Sequence, residues 1–183
     1  MVLLQAGANV SLTGKNPLLS DLIVGFGWDI VQSAGPQVDL VPSAIITNKS
    51  NVAISDEHFV FFNQLATPDD AVRYVEGDDA EQVELSLKLL SQTPAEKVVF
   101  VVYADPDVRA PGNFSAVRNA YIRIADKDNT EIARFDLPQS NSNVTAMIFG
   151  EIYKHNNEWK FRAIGQGYSS GLQGVAKDFQ VGL

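Results

Sequence analysis

The chain has 183 residues with 14 Lys and Arg against 22 Asp and Glu, a formal net charge of −8. That balance argues against a dedicated nucleic-acid binder, which needs a basic face to displace phosphate counterions. The 45% hydrophobic content suits a folded domain, and no cysteine is present, so disulfides, thiolate chemistry and Cys-based zinc sites are excluded.

In chain order, Met1–Gly7 shows no basic stretch followed by a long apolar run, so no secretory signal is visible. The runs Leu22–Trp28, Val38–Thr47, His58–Asn63, Val83–Leu89 and Lys97–Ala104 are rich in Val, Ile, Phe and Tyr and read as strands. Val98–Ala104 is the longest apolar stretch, far short of the roughly 20 residues of a membrane span. Thr93–Glu96 is expected to open one helical turn and Phe114–Arg118 another. Further strands are expected at Asn119–Ala125, Glu131–Leu137, Thr145–Lys154 and Glu158–Ile164. Asp128-Asn129 and Asn156-Asn157 sit between strand pairs, where residues tolerant of positive φ make tight hairpin turns. Leu172, Val175, Ala176 and Phe179 have helical spacing and predict an amphipathic helix packed on the sheets. Many short strands with few helices imply an all-β fold, a β-sandwich of two mainly antiparallel sheets with a few short helices, one of them near the C-terminus. No repeat or linker divides the chain, so residues 1–183 are expected to form a single domain.

The charge is uneven. Residues 1–90 hold twelve acids and four bases, whereas residues 91–183 hold ten of each. Asp29, Asp39, Asp69, Asp70, Asp78, Asp79 and Glu81 fall at strand ends or in turns. Carboxylates gathered at one end of a sandwich repel one another unless they spread into solvent or share a cation. Ca²⁺ fits such a set, because it takes six to eight oxygen ligands in a flexible cage. A solvated acidic loop is the plainer reading.

Local motifs add little. Asp126-Lys127-Asp128 starts like an EF-hand loop, but Glu131 stands where Gly is needed and Leu137 where Glu is needed. Asp105-Pro106-Asp107 has the same weakness. The run Gly165–Gly171 lacks the spacing and βαβ context of a phosphate loop and reads as a structural turn. His58 and His155 are surface or interface residues on this reading, and Trp28 and Trp159 pack in the core. Ser169-Ser170 lacks the context of a nucleophile. The sequons at Asn48, Asn113 and Asn143 read as chance matches without a secretion signal.

Longer strings carry a family resemblance. They include Gly25-Phe26-Gly27-Trp28-Asp29, Phe59-Val60-Phe61-Phe62-Asn63, Asn119-Ala120-Tyr121-Ile122-Arg123-Ile124, and Met147-Ile148-Phe149-Gly150-Glu151-Ile152-Tyr153-Lys154-His155. Glu158–Tyr168 continues them. Over essentially its whole length the chain resembles the TerD-type tellurium-resistance and stress-protein family. The resemblance implies a cytoplasmic, bacterial, calcium-binding β-sandwich with no established enzymatic activity. It implies a role as a binding module with other proteins of the resistance system, some of them at the membrane, with no nucleic-acid partner and no insertion of this chain into lipid. The positions matching its metal ligands are Asp29, Asp39, Asn63, Asp69, Asp78, Asp79 and Glu81. Two departures stand out. The family reads Asp-Leu-Asp where this chain has Asp39-Leu40-Val41, and its acidic loop ahead of Gly77-Asp78-Asp79 is longer. These imply one or two Ca²⁺ ions in a weakened site, or an eroded site in a calcium-independent interaction domain. A metal-assisted hydrolase on the same acids is a third reading, supported by nothing beyond the acids.

Overall fold

Alternation decides which face each strand buries. In the run Asn119–Ile124, Ile122 and Ile124 are fully buried, while Tyr121 and Arg123 point to the opposite face. A computed structural model describes residues 1–31, 38–75, 81–106, 112–139 and 143–183. Among them, twelve strands form two six-stranded sheets packed face to face.

The first sheet holds β1 (Val2–Leu4), β3 (Asp21–Ile30), β6 (Val72–Val75), β7 (Glu81–Ser86), β9 (Val117–Asp126) and β10 (Glu131–Asp136), in the order β1-β10-β9-β3-β7-β6. The second holds β2 (Asn9–Ser11), β4 (Leu40–Thr47), β5 (Phe59–Val60), β8 (Lys97–Ala104), β11 (Ala146–His155) and β12 (Glu158–Tyr168), in the order β2-β12-β11-β8-β4-β5. All pairings are antiparallel except β1 with β10. Among the described residues, two helices, α1 (Leu87–Leu90) and α2 (Gly171–Phe179), and two short 3₁₀ turns accompany the strands.

Aromatic rings fill the space between the sheets. Phe26 lies 6.0 Å from Phe100 and 6.2 Å from Phe149, centroid to centroid. Phe114 closes one end against Phe149 at 6.4 Å. Burying each such ring contributes about 1.5–3 kcal/mol. A second apolar cluster lies on the outer face of the β4–β8–β11 sheet, where Val175, Ala176 and Phe179 of α2 cover Ile45, Val99, Val101 and Ile148.

The two expected hairpins are present, with Asn129 at φ 63° and Asn156 and Asn157 at 51° and 60°. Several expected boundaries shift. The run His58–Asn63 is strand only at Phe59–Val60. Phe61 and Gln64 then exchange both backbone hydrogen bonds and close a tight turn. The run Val83–Leu89 breaks at Ser86, whose hydroxyl accepts from the Leu89 N–H and opens α1. Thr93–Glu96 forms no helix; the single helical turn lies at α1 instead. The run Gly165–Gly171 is not all turn, because β12 extends to Tyr168. Gly165 takes φ 75° there, beside a register shift between Ile148 and Gly150. Trp159 is buried as expected, its indole N–H donating to Ser91 Oγ at 3.0 Å. Trp28 is half-buried at the core's edge. Strands β1, β2 and β6 carry no sequence expectation, being three or four residues long.

Candidate acidic site

Strand register places the acids. β3 ends at Ile30 opposite Val117, the first residue of β9. Just ahead of β9, the Phe114 N–H donates to the Val144 carbonyl, immediately before β11. β11 begins opposite Tyr103 of β8, and Ala104 at the end of β8 pairs with Leu40 at the start of β4. One end of the sandwich, the upper end here, therefore gathers the finish of β3 and β8 and the start of β4, β9 and β11.

Asp29, Asp39 and Glu81 all belong to this end. Asp29 accepts a 2.7 Å hydrogen bond from Asn119 Nδ2. Asn119 reaches it from φ 53°, next to a register shift between Gly27 and Asp29. Glu81 pairs with Phe26 and so shares that residue's inward face. Its carboxylate accepts a hydrogen bond from the Tyr74 hydroxyl. A carboxylate on an inward strand position needs such a partner, because partial burial penalises an unpaired charge. Asp39 is exposed, and its carbonyl accepts the Asp105 N–H at 2.8 Å.

Asn63 sits in the turn after β5, and it lines the same surface cavity as Asp105. The fold thus makes Asp105 a backbone neighbour of Asp39 and sets it on the cavity that Asn63 also lines, although its Asp-Pro-Asp run is only a weak EF-hand start in sequence. The signal that could have found it is antiparallel pairing: the last residue of β8 must lie opposite the first of β4.

Asp69 does not join this group. It sits in the turn ahead of β6, where its Oδ1 accepts from Thr67 Oγ1 at 2.6 Å and the Ala71 N–H at 3.1 Å. Val72 at the start of β6 pairs with Leu85, which pairs with Leu22 near the start of β3. Asp29 is therefore about 23 Å further along β3 at about 3.3 Å per residue. The Asp69 carboxylate closes a turn at the opposite end. Asp78 and Asp79 lie outside the described residues. Among the described residues, no three acidic or histidine side chains stand close enough to enclose a metal ion.

Among the described residues, the donors at the upper end are carboxylates, carbonyls and an amide, with neither His58 nor His155 near them. His58 Nδ1 hydrogen-bonds Ser55 Oγ at 2.7 Å in a short 3₁₀ turn, and His155 ends β11 at the lower end. Oxygen-only donors suit a hard cation such as Ca²⁺. Val41 lies on β4 at 7% exposure, in the outer apolar cluster opposite Tyr103.

Comparison with known proteins agrees with this architecture. The TerD domain family model matches residues 1–179. The chain is 39% identical to a tellurium resistance protein TerD of Serratia marcescens, over 98% of this chain and 97% of that one. It is also 39% identical to general stress protein 16U of Bacillus subtilis, over 98% of each. A crystal structure of a TerD homologue from Streptomyces coelicolor superposes with a TM-score of 0.65 at 19% identity, covering 86% of this chain and 95% of that one.

Proposed function

We propose a function from one premise: this chain belongs to the TerD family. The proposed function is that of a non-enzymatic, cytoplasmic stress-response module. It binds Ca²⁺ at the upper end of the sandwich and acts by contact with another protein of the resistance system. The observation that carries it is Glu81, a carboxylate on an inward strand position at the same end as Asp29 and Asp39. Asp29 and Glu81 on one sheet and Asp39 on the other supply charged oxygens, and Asn63 supplies a neutral one. On this reading a cation draws together carboxylates that do not otherwise converge, and so ties the two sheets to each other. Among the described residues, no helix is long and apolar enough to cross a membrane.

The test is calorimetric titration with Ca²⁺ alongside thermal melts. A ligand at about 100 times its Kd adds about 2.7 kcal/mol to stability. For a chain of this size that raises Tm by about 5–10 °C. The rise should disappear in the Asp29→Asn/Glu81→Gln double variant. Absence of heat and an unmoved Tm at millimolar Ca²⁺ would leave the second reading, a calcium-independent interaction domain. The buried Val41, standing where the resemblance implies an aspartate, favours that second reading.

A further inference from the structure

Helix α2 covers only part of the outer face of its sheet. Between its first turn and the turn at residues 61–64 lies an open cavity of about 740 Å³. That volume falls within the range of about 300–1,000 Å³ typical of ligand sites.

Its aromatic wall is ordered. The Phe59 and Phe61 rings stack at 4.8 Å with 19° between planes, and Phe62 meets Phe61 edge-on at 5.4 Å. Phe62 occupies the tip of the tight turn and is 46% exposed. Tight turns favour Gly, Asn and Asp at their tips, so the turn itself does not call for an aromatic residue. Leu172 and Leu183 add apolar surface across the cavity.

Among the described residues its charge has one sign. Asp56, Glu57 and Asp105 line the cavity, and among the described residues lining it there is no Lys, Arg or His. Asp56 is held in place by the Gly182 N–H, which donates to its Oδ1 at 2.7 Å. Carboxylates repel an anionic ligand. Ring faces and carboxylates together attract a cation, and the aliphatic stem of Lys or Arg packs on the rings while its head reaches the acids.

We propose that this cavity docks a Lys- or Arg-bearing apolar segment of a partner protein. A free amine would leave Phe62 and Leu183 in water, whereas flanking apolar side chains cover them. Asn63 is shared with the proposed calcium site, but the rings and acids that would grip the segment, Phe59, Phe61, Phe62, Asp56 and Glu57, are not among its proposed ligands.

The experiment uses the full chain in EDTA, with ¹⁵N-detected titration of two acetylated hexapeptides, one alternating Leu with Lys and the other Leu with Glu. The Lys peptide should bind, with shifts centred on residues 56–64 and the first turn of α2. Phe62→Ala should weaken binding about 5- to 30-fold, as expected for loss of a cation–π contact of about 1–2 kcal/mol. Glu57→Lys should weaken it similarly, and both variants should keep the parent Tm because the substituted side chains are exposed. The proposal is overturned by equal binding of the Glu peptide, by shifts centred on Asp29 or Glu81, or by full affinity in Phe62→Ala. Butylamine binding as tightly as the Lys peptide would also overturn it, by assigning the cavity to a free amine.

Discussion

The β-carbon that Gly150 lacks would sit 2.8 Å from the Phe161 ring and 2.9 Å from the Arg162 carbonyl. Backbone and a core ring both crowd that point, so neither neighbour can swing away cheaply. The missing carbon lets β11 and β12 shift register between Ile148 and Gly150 while keeping Phe149 and Phe161 in the core. Gly27 plays a related part on the other sheet, where the Tyr121 ring lies across it at 2.2 Å from any added carbon. Arg134 then stacks 4.0 Å over the same ring. Gly150→Ala should therefore destabilise the protein by about 1–3 kcal/mol, the usual cost of overpacking. Urea denaturation monitored by tryptophan fluorescence would show the midpoint falling with an unchanged slope. The strings around both glycines carry the family resemblance, yet nothing in the one-dimensional pattern says which ring crosses which glycine. That depends on cross-strand register, which is a property of two segments at once.

At the level of elements, legibility follows length and period. Strands of eight or more residues, such as β8 and β11, stand out because an apolar run outlasts any turn. β1, β2 and β6 are too short to show a period, and each is held at a sheet edge by its neighbour. The helix α2 was legible because four apolar residues recur at helical spacing, and it ends on Gln180 at φ 55°. How it is tied to β12 was not legible. The Tyr168 hydroxyl donates to Asp178 Oδ2 at 2.9 Å, bridging strand end and helix. Burial, the hydrogen bond to Asp178 and that residue's charge push the phenol from its ordinary 10.0 up to about 12. The folded state thus holds this proton more tightly than the unfolded chain does. Its contribution to stability is complete below about pH 10 and is lost as pH rises through about 12. Melting temperature should fall across that window in the parent protein. Tyr168→Phe, which cannot ionise, should show a shallower fall over the same range, measured by circular dichroism.

Across the whole molecule, the described acids of the first half of the chain do not form one acidic face. Asp29, Asp39 and Glu81 go to the upper end, and Asp69 goes to the lower one, because β6 runs upward from the turn that Asp69 closes. Charge counting saw a cluster where the fold makes two groups, since proximity in sequence ends at each strand. Val41 links the acidic end to the outer apolar cluster, and substituting it tests what that end holds. It is 7% exposed and opposite Tyr103, so Val41→Asp removes apolar contacts and places a carboxylate against a ring. Without Ca²⁺ this should cost about 2–4 kcal/mol, combining lost burial with desolvation of the new charge. Asp39 is two residues away along the same extended run, so a cation held by Asp39 would gain a second carboxylate on one strand. More charged ligands tighten Ca²⁺ binding, so the variant should recover most of its lost stability in Ca²⁺ and bind the ion more tightly than the parent. Urea titrations of both proteins, in EDTA and in millimolar Ca²⁺, separate the two contributions. A loss that is the same in both buffers would mean that position 41 faces only the apolar cluster, and that the β4 end of the sandwich does not hold the ion.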